Sequence, residues 1–191
     1  SQVFVVGLNN QITWVNEYDF QGGDTAVMAG VVDIVAGKRQ SVVQSENVSR
    51  WMLAISQFLK ASEGIEGTRS EILLKPDAQG VRPLDTLLDA RKQLRLLLIG
   101  MSNFLSNQLV AKDGLVVKSM KLSDMQIESD VEKTVLDQAL AIRALLTVAD
   151  VTKVSLYRVS AIEIYYKMNL YLYNPKIRFY SVAPQSKAIP L

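Results

Sequence analysis

The stretch Ile162-Glu163-Ile164-Tyr165-Tyr166-Lys167-Met168-Asn169-Leu170-Tyr171-Leu172-Tyr173 carries the most regular pattern in the chain, and its reading decides the fold. Apolar side chains take the even positions from Ile162 to Leu172, while Glu163, Lys167 and Asn169 fall on odd ones. Alternation with a period of two places successive side chains on opposite faces of a strand. Asn174-Pro175 interrupts the run, and Lys176 to Ala183 alternates again, with Ile177 and Phe179 against Arg178 and Tyr180. The spacing therefore predicts a long C-terminal β-hairpin, with a further strand over 151–160. A straight strand from Val159 to Tyr173 would span roughly 50 Å. A compact chain of this length is only about 40 Å across. The strand is thus expected to project as an extended β arm over 151–191.

Working back toward the N-terminus, the pattern changes from two to 3.6. The capping box Ser129-Asp130-Val131-Glu132 opens a predicted helix that runs to about Ala149. Val135, Leu136, Ala139, Leu140, Ile142, Leu145, Leu146 and Val148 cover more than half of it, so this helix is expected at the centre of the core. Pro83 suits a first helical position, and a predicted helix from there to about Lys112 has Leu87, Leu94, Leu98, Met101 and Leu105 as its stripe. Asp113-Gly114 ends it, and 115–122 reads as a strand. Val48, Trp51, Met52, Ile55, Phe58 and Leu59 form one face of a helix over Ser45–Ser62, with Ser45 or Asn47 to cap it. Ser70–Lys75 reads as a short strand before Pro76. Residues 24–36 suit a helix by their flanking Asp24 and Gly37, although the valines favour a strand. Val3–Val6 and Ile12–Val15 flank turn residues and predict an N-terminal hairpin.

These elements predict a single α+β domain over residues 1–191. About three amphipathic helices pack on a mainly antiparallel β-sheet, with the long C-terminal hairpin as its arm.

Composition narrows the chemistry. The chain has 191 residues, 49% hydrophobic and 21% charged, with a net charge of +2, no cysteine and no histidine. Disulfides, thiol nucleophiles, Ser-His triads and histidine or cysteine metal sites are excluded. There is no G-x-x-x-x-G-K-[ST] loop and no G-x-G-x-x-G. Glu63 and Glu66, three residues apart in a loop, are too few ligands for a calcium site. No metal, cofactor or catalytic residue is expected, and the chain reads as non-enzymatic. No apolar run reaches the roughly 18 residues of a spanning helix, so no membrane partner is expected. The N-terminal residues show no secretion signal, which points to cytoplasmic assembly.

Charge and tyrosine are distributed unevenly. Lys153, Arg158, Lys167, Lys176, Arg178 and Lys187 face Glu163 alone in 151–191, and six of the seven tyrosines lie in the same segment. Basic strands with exposed rings suit a protein interface, where Tyr and Arg are enriched. They also suit single-stranded nucleic acid, through phosphate attraction and stacking. Only Lys167 sits among the polar-face tyrosines, which favours protein. The expected interface is Tyr165, Lys167, Tyr171, Tyr173, Arg178 and Tyr180. The expected function is a self-assembling structural subunit of a large assembly, such as a virion head, neck or tail. Its partners would be further copies of itself and other structural proteins. Nucleic-acid binding by the basic, Tyr-rich strands is the second reading.

Overall fold

The computed structural model describes residues 3–6, 12–15, 32–33, 38–39, 42–121 and 132–181. They are mostly helical. Five helices follow one another: α1 Ser45–Ala61, α2 Glu71–Leu74, α3 Pro83–Gln108, α4 Val135–Thr152 and α5 Ser155–Leu172. A 3₁₀ turn at Ile65–Gly67 lies between α1 and α2. The strands are short, and all pair antiparallel. β1 Val3–Val6 joins β2 Ile12–Val15, as the sequence predicts, and β3 Val32–Asp33 joins β4 Lys38–Arg39. β5 Val42–Gln44 joins β6 Ser119–Lys121, with Val43 opposite Met120. β7 Tyr173–Asn174 joins β8 Phe179–Tyr180.

The expected α+β fold, with helices on a mainly antiparallel sheet, is therefore corrected to a helical packing with small two-stranded pairs. The largest change is at the C-terminus, where the predicted strands over 151–172 are the end of α4 and the whole of α5. The alternation misleads because it also satisfies a helix. Its even positions separate into two series of fourth residues, Ile164-Met168-Leu172 and Ile162-Tyr166-Leu170. Each series runs along one side of a helix, and the two sides lie opposite each other. The first series is buried and the second exposed. At 1.5 Å per residue α5 is about 27 Å long, in place of the roughly 50 Å strand expected. What remains of the hairpin is β7 and β8, two residues each.

Three smaller expectations change. Ser70–Lys75 holds the single helical turn α2, not a strand. Val32–Asp33, inside the predicted helix over 24–36, is a strand; the rest of that segment lies outside the described residues. Ser129–Val131 also lie outside them, and α4 begins later than the box implied. Its cap is Thr134, whose Oγ1 accepts the Asp137 N–H at 3.1 Å and donates to Asp137 Oδ2 at 2.6 Å.

α4 is the central helix, in contact with α1, α3 and α5. Its buried side is Ala141, Ala144, Leu145, Val148 and Ala149, while Leu136 and Leu146 are exposed and Leu140 is half-buried. On α1, Val48, Met52, Ile55 and Leu59 are buried as expected. Trp51 and Phe58 instead stand at the exposed edge. Ser45, Ser49 and Ser56 take the buried side. Ser45 Oγ donates to Asp137 Oδ1 at 2.9 Å, which ties the start of α1 to α4. α3 contributes Leu98, Met101, Phe104 and Leu105.

Gln138 is the buried polar group with the most structural work. Its Nε2 donates to the Val116 carbonyl at 2.7 Å, and its Oε1 accepts the Val116 N–H at 2.8 Å. Both residues are fully buried. The side chain thus pairs with a peptide group as a neighbouring strand would, and it anchors the loop after α3 to α4.

Candidate interaction surface

α5 follows α4 after the two-residue link Lys153-Val154, in which Lys153 adopts a left-handed φ of 65° and its N–H caps the Ala149 carbonyl. This turn lays α5 against α4. Tyr157, Ala161, Ile164, Met168 and Leu172 face inward, and the Tyr157 hydroxyl donates to Asn103 Oδ1 at 2.9 Å. The opposite side is also apolar. Leu156 (63% exposed), Val159, Ile162 (59%), Tyr166 (64%) and Leu170 follow at spacings of three, three, four and four. Those steps keep all five within a third of the helix circumference. A stripe of large apolar side chains left exposed makes this face a candidate contact surface.

The helix divides the six residues expected as an interface. Tyr165, Tyr173 and Tyr180 gather around Asn169. The Tyr180 hydroxyl donates to Asn169 Oδ1 at 2.6 Å, and Asn169 Nδ2 donates to the Tyr165 carbonyl at 2.8 Å. The Tyr173 and Tyr180 rings are 5.2 Å apart and tilted by 58°. Desolvation raises the Tyr180 phenol above its ordinary range, and the nearby Tyr165 and Tyr173 add to the shift. Lys167 lies on another side of the helix, its stem across Gly114. Tyr171 is one turn beyond Lys167 and is exposed. Arg178 occupies the β7–β8 turn with a φ of 56°. Of the four residues expected on one strand face, Lys167 and Tyr171 thus share one side of α5, Tyr165 lies on another, and Tyr173 belongs to β7. The outer stripe was missed, although its three-and-four spacing from Leu156 to Leu170 was legible as a helical signal.

Two of the surface clefts are lined by described residues of the helices and the turns beside them. One, of about 430 Å³, lies where Val110 and Gly114 approach α5, with Ser160, Ile162, Tyr166 and Lys167 among its walls. The other, of about 570 Å³, is lined by Lys60, Arg91, Lys92, Arg95 and Lys153, and also by Glu63, Glu66 and Asp150. Two of its cations have structural roles. Arg91 donates to the Leu59 carbonyl at 2.9 Å and to Ser62 Oγ. Arg95 Nη2 donates to the Thr152 carbonyl at 3.0 Å. The two guanidiniums thereby satisfy the last turns of α1 and α4, where carbonyls lack helical partners and the dipole is negative. Among the described residues no cluster of three carboxylates could hold a metal ion, and no helix is long and apolar enough to cross a membrane.

No protein-family model, no curated protein and no solved structure matches this chain, so the fold and the outer face of α5 carry the functional reading by themselves.

Proposed function

We propose that this chain is a non-enzymatic structural subunit of a larger protein assembly, docked to its neighbours through the outer face of α5. The observation that carries the reading is the stripe Leu156, Val159, Ile162, Tyr166 and Leu170, apolar and exposed on a helix whose other side is already committed to the core. The virion component expected from the sequence is one such assembly. Strand addition through a C-terminal arm is replaced by helix packing as the mode of contact. The cations of α5 give little support to nucleic-acid binding. Arg158 is paired with Asp150 at 2.7 Å, and the Lys167 stem lies against Gly114.

Size-exclusion chromatography with light scattering, run across micromolar concentrations, tests the proposal. The wild-type chain should assemble, and Tyr166→Asp should reduce the assembly while leaving helical circular dichroism intact. A wild-type chain that stays monomeric at every concentration refutes the reading.

A further inference from the structure

We infer that the occupant of the outer α5 face is the same face of a second copy, packed antiparallel about a two-fold axis near Ile162. This rests on the assembly reading above and specifies its first contact.

Area is sufficient. The five side chains are each about half or more exposed, which corresponds to roughly 500 Å² per chain and about 1,000 Å² for a pair, the lower bound of a specific interface. The stripe is also self-complementary. Around Ile162 and Glu163 its members stand nearly symmetrically: Leu156 and Leu170 at the ends, Val159 and Tyr166 one turn to each side. Antiparallel pairing sets Leu156 against the partner's Leu170, and Val159, the smallest member, against the partner's Tyr166, the largest. A parallel pair would oppose Val159 to Val159 and Tyr166 to Tyr166, leaving a void at one level and a clash at the other. Antiparallel packing also opposes the two helix dipoles. Glu163 stands at the edge of the stripe near the axis, where the pairing brings it toward its copy; this like-charge contact opposes the apolar burial. An isologous contact of this kind closes on itself as a dimer. The dimer leaves the β7–β8 hairpin and the Tyr165–Tyr173–Tyr180 cluster free for further contacts.

The absence of cysteine lets single introduced thiols report the geometry. Disulfides form only where two Cα atoms come within about 7 Å. Ile162→Cys should cross-link to itself under mild oxidation. Leu156→Cys and Leu170→Cys should each stay uncross-linked alone and cross-link when mixed. Tyr166→Asp should weaken the dimer by at least about 100-fold, the effect of losing a central aromatic anchor. Thermal melts of each variant confirm that it is folded. If Leu156→Cys and Leu170→Cys each cross-link to themselves, the antiparallel pairing is overturned and the assembly reading stands. If the chain assembles but resists Tyr166→Asp, the pairing and the docking role of α5 both fall. A monomeric wild-type chain overturns the pairing and the assembly reading together.

Discussion

Replacing Gln138 by methionine should cost the fold on the order of 1–4 kcal/mol. Methionine keeps the length and approximate volume but offers no comparable donor or acceptor. The Val116 N–H and carbonyl would lose the partners they have at 2.8 and 2.7 Å, in a fully buried position. Each stranded group costs about 1–3 kcal/mol, which gives roughly 2–6 kcal/mol for the pair. Better burial of the thioether offsets roughly 1–2 kcal/mol of that. For a chain of this size the result is a fall in melting temperature of roughly 2–16 °C. Urea denaturation followed by circular dichroism measures it, with an unchanged slope as the check that the native state is intact. Gln138→Glu gives an independent test of the same geometry. A neutral carboxyl can donate to the Val116 carbonyl and accept its N–H, whereas a carboxylate cannot donate. Burial raises the folded-state pKa of that glutamate above its unfolded value. The variant should therefore match wild type most closely below the unfolded pKa and lose stability as pH rises through the folded pKa. A loss below about 0.5 kcal/mol for methionine, or a glutamate penalty that shrinks with rising pH, would refute the role given to Gln138.

Leu145→Ala, at a fully buried position on α4, should cost about 2–5 kcal/mol, and Leu140→Ala clearly less because Leu140 is only half-buried. Chemical denaturation ranks the two, and the reverse order would mean that α4 is rotated. Thr134→Ala removes the α4 cap and should cost about 0.5–2 kcal/mol by the same assay. Gly114 has a φ of +82°, and an added Cβ would lie 2.7 Å from Lys167 Cγ. Gly114→Ala should thus lose about 1–2 kcal/mol in thermal unfolding, chiefly from the left-handed backbone. The hydrogen bond from Arg82 holds the Asp85 carboxyl below its ordinary pKa. Its contribution is therefore present above the unfolded pKa and lost as pH falls through the depressed one. In an NMR titration Arg82→Ala should return Asp85 to the ordinary range, and an unchanged midpoint would remove the pairing.

The helices with one apolar face were legible. α1 occupies almost the residues its spacing predicts, and α3 starts at Pro83 as expected. What the spacing could not rank was which edge of that face goes inward. Trp51 and Phe58 carry more apolar surface than Ser49 and Ser56, yet the serines are buried and the two rings stand at the exposed edge. α5 was misread for a different reason. A helix that presents apolar side chains on two opposite sides has no single stripe, and over a dozen residues its pattern coincides with strand alternation. Tertiary packing decided between them, with Tyr157, Ile164 and Met168 sharing the buried side. Part of the expected site was lost with the strand, because neighbours at i and i+2 share a strand face but lie far apart around a helix. The Gln138–Val116 pairing has no sequence signature, since the two residues are 22 apart and meet only in the folded chain.

Arg91 and Arg95 act together as a gauge. They stand one helical turn apart on α3, and each grips the terminal carbonyls of a different helix, α1 and α4. Inserting one residue between them would swing one grip about 100° away from its target. This stretch can therefore lengthen or shorten only in steps close to a whole turn. Surface loops elsewhere are free of that constraint, so insertions and deletions should be far better tolerated around Asp77–Val81 than between Arg91 and Arg95.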